Sequence, residues 1–250
     1  MRPIGVIKIG TSHTAMLAAL ELSAPLIRRG RLIDLRDPST WNTLTQTMTE
    51  YTRLMEDLGV HFGVVSGGEA LRENGLLRQH IQDLRLPFWP VSPILEGRLT
   101  WLAVRSEIPD ISTIIDVGGG STEVVTEQAV YSLAVGATRV PQEMQWPPLG
   151  GRGGTTALVG GTASALEMLA GEPVISRERL LSLLNSILLD DGEPIVLKNL
   201  NAARQRLVVG GSRVIRALLE VLDSPRFVMA HRGFLEGLWL AASLGKARRL

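Results

Sequence analysis

The chain has 250 residues (27.1 kDa), 45% hydrophobic and 20% charged, which is enough apolar material to bury a sizeable core and too much for disorder to be its main state. Its 26 Lys and Arg against 25 Asp and Glu leave a formal net charge of +1, so no overall field draws it to nucleic acid or to an anionic membrane. Cysteine is absent, which excludes disulfides, thiolate catalysis and cysteine-based metal sites and fits a reducing cytoplasm; no apolar run approaches the roughly 20 residues that cross a bilayer, and the N-terminus lacks a cleavable leader pattern.

Gly5 to Ile9 is apolar and β-prone, Gly10-Thr11-Ser12-His13-Thr14 is turn-like, and Ala15 to Leu22 is apolar again. A hairpin with a small, donor-rich tip is expected. Asp37-Pro38-Ser39-Thr40 supplies N-cap candidates for a helix from Trp41 to Leu58, whose Leu44, Met48, Tyr51, Leu54, Met55 and Leu58 recur every three or four residues. His61 to Ser66 reads as a short buried strand, and Gly67-Gly68 opens a helix from Glu69 to Leu84. Phe88 to Ser92 is a short extended piece, Ile94 to Val104 a helix, and Thr113 to Val117 a strand running straight into Gly118-Gly119-Gly120-Ser121-Thr122.

Glu123 to Val125 and Ala129 to Val135 read as two more strands. They repeat the strand, glycine turn, strand order of the N-terminus, which suggests an internal duplication. Pro147 to Gly154 is a breaker cluster expected in an exposed loop; Thr156 to Val159 returns to strand before Gly160-Gly161-Thr162 opens a helix through Leu169. Helices are expected over 177–188, 200–222 and 233–244, with a short strand at Arg226 to Met229. Gly210 and Gly211 fall inside a helix, where each costs about 1 kcal/mol against Ala. Close packing against a backbone or a ligand would account for them.

Three strand-to-glycine turns carry the chemistry: Gly10-Thr11-Ser12, Gly118-Gly119-Gly120-Ser121-Thr122 and Gly160-Gly161-Thr162. Glycine lets backbone N–H groups approach an anion with no Cβ in the way, and hydroxyls add donors, so such turns make phosphate nests. One alone is more often just a tight turn; three alternating with strands are informative. The chain has no G-x-x-x-x-G-K-[ST] loop, no G-x-S-x-G elbow and no G-x-G-x-x-G at 118–123, which removes the enzyme classes those motifs mark. Asp116 ends a strand just before the triple glycine and Glu123 follows it. That placement suits Mg²⁺ beside a phosphate, and equally a turn cap with a solvated strand residue.

Ile115-Asp116-Val117-Gly118-Gly119-Gly120-Ser121-Thr122-Glu123 resembles the second phosphate motif of the exopolyphosphatase and guanosine pentaphosphate phosphohydrolase (Ppx/GppA) family, within the actin, sugar kinase and Hsp70 superfamily. Ser66-Gly67-Gly68-Glu69-Ala70-Leu71-Arg72-Glu73-Asn74 resembles the segment with its phosphate-binding arginine, here Arg72. Ser92-Pro93-Ile94-Leu95-Glu96-Gly97-Arg98-Leu99 resembles the helix start with its catalytic glutamate, here Glu96. Segments 132–139, 159–162 and 232–238 agree in order as well.

The resemblance implies an α/β fold of two ribonuclease-H-like (actin-like ATPase) lobes with a central cleft, residues 1–126 and 127–250. It implies a hydrolase that releases terminal phosphate from inorganic polyphosphate or a guanosine pentaphosphate-like nucleotide. Glu96 would take a proton from the attacking water and Arg72 would clamp the phosphate. Gly10, Thr11, Ser12, His13, Gly118, Gly119, Gly120, Ser121, Thr122, Gly160, Gly161 and Thr162 would donate to phosphate, and Asp116 with Glu123 would hold Mg²⁺. Neither a membrane nor sequence-specific nucleic acid is expected as partner.

The chain departs from the family pattern at charged positions. Lys8-Ile9-Gly10-Thr11-Ser12-His13 puts a cation where an Asp is usual, which reverses the local charge and calls Mg²⁺ into question. Leu95 replaces an acidic neighbour of the glutamate, Arg206 stands for the Asp of Arg-Ala-Asp, and His231 for the Asp of Ser-Asp-Arg. Two alternatives follow: a catalytically degenerate polyphosphate- or nucleotide-binding protein, acting through a partner or as a homodimer, and an actin-like kinase or ATPase. His13, His61, His80 and His231 have no metal-ligand spacing. The Arg28-Arg29-Arg31 group is read first as a solvated loop and second as a guide for a polyphosphate chain, and 246–249 as a helix end.

Overall fold

The computed structural model describes residues 2–147, 149, 153–188 and 197–245. The chain divides into two compact units, residues 1–103 with 234–250, and residues 104–233. The expected boundary at 126/127 would instead have separated two strands that pair with each other, and the last helix belongs to the first unit.

The first unit is built on a five-stranded sheet. β1 (Ile4–Ile9), β2 (His13–Ala19) and β3 (Pro25–Leu32) form an antiparallel meander, and β4 (His61–Gly67) and β5 (Phe88–Pro90) add parallel strands in the order β3-β2-β1-β4-β5. Side chains of a strand alternate between faces. Accordingly Ile7, Ile9, Met16 and Val65 pack with α1 (Trp41–Asp57) and the helix at 75–83, while Val6, Ala15, Leu17 and Val64 pack with α8 (Phe234–Ser243). On the first of these faces Leu44, Met48, Tyr51 and Met55 of α1 are buried, the periodicity read from the sequence.

Two local readings needed correction. The helix expected over 69–84 is two, α2 (Glu69–Glu73) and α3 (Gly75–Asp83), because Asn74 is extended (φ −110°, ψ 98°) and its side chain accepts from the Leu77 amide at 3.0 Å. The Arg28-Arg29-Arg31 group lies on β3, not in a loop. An edge strand with mostly exposed, charged side chains carries no apolar alternation to reveal it.

The second unit repeats the plan. β6 (Ile111–Val117), β7 (Thr122–Thr126) and β8 (Val130–Leu133) form an antiparallel meander; β9 (Thr155–Val159) and β11 (Arg226–Met229) extend it in parallel; and β10 (Val174–Ser176) adds an antiparallel edge. The order β8-β7-β6-β9-β11 matches β3-β2-β1-β4-β5 strand for strand, which is the structural form of the suspected duplication. α5 (Gly161–Ala170), α6 (Arg177–Leu188) and α7 (Ala202–Val221) cover this sheet through a core that includes Ile115, Leu158, Leu166, Leu184, Ile215 and Phe227. α4 (Pro93–Arg105) leads from the first unit into the second. The 147–154 loop lies partly, and the 246–249 helix end wholly, outside the described residues.

Candidate functional site

In the first unit the site residues collect where β1 and β4 end, the edge at which parallel α/β sheets present ligands. The β1–β2 loop is closed by the Gly10 amide donating to the His13 carbonyl at 3.0 Å. Its Thr11 and Ser12 carbonyls accept from the Leu35 and Ile33 amides at 2.9 and 3.1 Å. Acceptors are thus tied from one side, whereas the Thr11 and Ser12 amides have no acceptor among the described residues. The Thr11 hydroxyl donates to Glu69 Oε2 at 2.6 Å. His13 is the exposed first residue of β2, not part of the tip, and its ring lies where a side chain on Gly30 of β3 would be.

Beside this loop, Gly68 follows β4 and leads into α2. The Glu96 carboxylate, from the first turn of α4, lies directly over Gly68, and a Cβ there would overlap both of its oxygens. Arg72 on α2 meets it: Nη1 is 2.8 Å from Glu96 Oε2 and 3.4 Å from the Val91 carbonyl. The Glu96 side chain is only 9% exposed and that of Arg72 22%, so the pair is largely shielded from water. The folded chain therefore brings together the two residues expected to act as acid–base group and clamp, which are 24 positions apart.

The second unit builds a matching loop. The Gly118 amide donates to the Ser121 carbonyl at 2.9 Å, and the Gly118 and Gly119 carbonyls accept from the Ala137 and Thr138 amides at 2.9 and 2.8 Å. Again the segment after the third strand of a meander ties the carbonyls, and the Gly119 and Gly120 amides have no acceptor among the described residues. Gly160, at φ +94°, turns the chain from β9 into α5, and no side chain caps that helix. α7 approaches both loops through the two glycines noted in the sequence. A Cβ on Gly210 would enter the Ala137 carbonyl, and one on Gly211 would meet Thr162.

Several hydroxyls expected to face phosphate are engaged inside the protein. Ser121 Oγ donates to Glu123 Oε1 at 3.0 Å, Thr122 Oγ1 to the Val135 carbonyl at 2.6 Å, and Thr162 is buried against Gly211. What the loops offer an anion is chiefly backbone N–H. Sequence reasoning did not place Arg204 in the site. Its Nη2 donates to the Gly161 carbonyl at 2.8 Å, beside the start of α5, and burial pushes its guanidinium below the usual value. Its membership of the Arg204-Gln205-Arg206 segment was the available signal.

Asp116 and Glu123 face each other in register across β6 and β7, 6% and 3% exposed. Mg²⁺ keeps several waters and takes open carboxylate oxygens. Here Glu123 Oε1 already accepts from Ser121 and Ser132, at 3.0 and 2.8 Å, and Asp116 is packed beside Gly160. Among the described residues no group of three or more His, Asp or Glu could hold a metal, and the residue before the last of β1 is the cation Lys8. The donor set does not fit a hydrated divalent ion.

This architecture, two mixed α/β units with duplicated sheets, is the two-lobe actin-like fold. Within that class it resembles solved structures of the Ppx/GppA family. The family member from Aquifex aeolicus superposes with a TM-score of 0.81 at 18% identity over 98% of each chain. An exopolyphosphatase from Cytophaga hutchinsonii does so with 0.80 at 14% identity over 98% of each, and an exopolyphosphatase-like protein with 0.78 at 16% identity over 96% of this chain and 97% of that one. No family model and no curated protein matches the sequence. No helix among the described residues is long and apolar enough to cross a membrane.

Proposed function

We propose that this protein is a phosphoanhydride hydrolase of the exopolyphosphatase type, releasing terminal orthophosphate from inorganic polyphosphate or from a guanosine pentaphosphate-like nucleotide. The observation that carries the reading is the shielded Arg72–Glu96 pair set against Gly68 at the end of β4. In the reaction the oxygen of water attacks the terminal phosphorus as the bridging P–O bond breaks. Glu96 accepts the proton of that water, and the Arg72 fork offsets charge on the equatorial oxygens. Backbone donors of the Thr11-Ser12 loop, in the same unit as this pair, bind phosphate oxygens.

Phosphate release from polyphosphate and from guanosine pentaphosphate tests this. Glu96→Gln should lower turnover by about 10²-fold or more, the scale of a lost general base. Arg72→Ala should weaken both binding and turnover. No release by wild-type protein from either substrate, with or without divalent metal, removes the hydrolase reading.

A second reading, a binding protein without turnover, is favoured by one feature: Glu96 Oε2 is already engaged by Arg72, and must release it before taking a proton there. Retained polyphosphate binding without phosphate release is its signature.

A further inference from the structure

Lys8 lies one residue before the end of β1, in register with Ala15 of β2 and Ser66 of β4. Ser66 lies two residues before Gly68, over which the Glu96 carboxylate is placed, so Lys8 sits at the β4 end that leads to that pair. Its ammonium stands over the buried Phe234 ring, 5.3 Å from the centroid. A ring face attracts the charge and uses few of the N–H donors.

Acids on this side of the unit are matched elsewhere. Glu96 meets Arg72, Glu69 accepts from Thr11, and Glu236 meets Arg28 at 3.0 Å. Among the described residues no carboxylate comes within ion-pair distance of Lys8. A half-buried cation without a counter-charge is costly, and it stands next to a loop whose Thr11 and Ser12 amides also lack acceptors. An ammonium and adjacent N–H groups make a complete recognition set for a phosphate oxygen.

We propose that Lys8 is the cation of the first unit's anion site, and that this protein therefore binds the phosphates of a phosphoanhydride chain without a divalent metal. The proposal rests on the phosphate-binding half of the reading above and not on turnover. Lys8 donates to non-bridging oxygens and supplies the positive charge that a carboxylate-bound ion would otherwise bring.

The test is calorimetric titration of the full chain with short-chain inorganic polyphosphate, in EDTA and in Mg²⁺. Wild-type affinity should agree within about twofold between the two conditions. Lys8→Ala should weaken binding about tenfold or more in EDTA, whereas Lys8→Arg should stay close to wild type. If Lys8→Ala does not fold, Lys8→Met keeps an apolar stem under Phe234 and removes only the charge, with the same expected loss. Loss of wild-type binding on chelation, or unchanged affinity in the charge-removing variant, overturns the proposal. Metal-independent, Lys8-dependent binding with no phosphate release leaves it standing and removes the hydrolase reading alone.

Discussion

Gly68→Ala separates the catalytic from the structural role of the Arg72–Glu96 pair. Gly68 has φ −91°, outside the left-handed region, so the substitution adds no left-handed strain. The new methyl instead occupies the space of the Glu96 carboxylate, which must shift by about 1 Å to reach normal contact and thereby loosens its 2.8 Å ion pair with Arg72. Because the displaced atoms are the far end of a flexible side chain, the stability cost is that of an off-rotamer carboxylate, about 1 kcal/mol. A misplacement of that size at a reacting group costs about 10²-fold in rate. Thermal unfolding by circular dichroism should therefore move by only about 2–4 °C, while phosphate release from polyphosphate falls by about two orders of magnitude. Full activity in a folded Gly68→Ala protein would falsify the placement of Glu96 at the reacting centre.

Gly210→Ala sets two effects of opposite sign against each other. Helix propensity favours Ala by about 1 kcal/mol, but the Cβ would run into the Ala137 carbonyl, and a backbone cannot step aside as a side chain can. Net destabilisation by about 1–3 kcal/mol is expected, read as a lower denaturation midpoint; a raised midpoint would show that α7 does not pack this closely. Asp37 offers a pH test. Hydrogen bonds from the Ser39 side chain and then the Ser39 amide hold its carboxyl below the ordinary 3.8, so its stabilising contribution is present above that value and is lost as pH falls through the lower folded value. An NMR titration should find the Asp37 midpoint below 3.8, and Asp37→Asn should flatten this part of the acid limb.

The duplicated sheets give the two glycine loops a common construction. In each, the amide of the first glycine closes the turn, and the chain emerging from the third strand ties two loop carbonyls. Acceptors are drawn to one side, and unmatched amides are left in Thr11, Ser12, Gly119 and Gly120. An anion nest thus follows from the meander itself and not from the hydroxyls that make such loops conspicuous in a sequence.

Most elements were legible because their signals are local. The three-to-four spacing of Leu44, Met48, Tyr51 and Met55 marks α1, and Ile115-Asp116-Val117 with the glycines after it marks a strand and its turn. Misreadings fell where a local signal was weak or contradictory. β3 has no apolar alternation, since an exposed edge strand is held by backbone hydrogen bonds, and the break at Asn74 depends on one cap overriding a continuous helical pattern. Sequence alone also determined that a lysine, Lys8, stands near the end of the first strand and that three glycine turns follow strands. Only tertiary structure decided that Glu96 closes on Arg72, that Gly210 and Gly211 admit the Ala137 carbonyl and Thr162, and that the Ser121 and Thr122 hydroxyls are engaged internally. The reason is physical: a strand or helix is specified by the periodicity of its own residues, whereas the partner of a charge or hydroxyl depends on distances set by the packing of segments far apart along the chain.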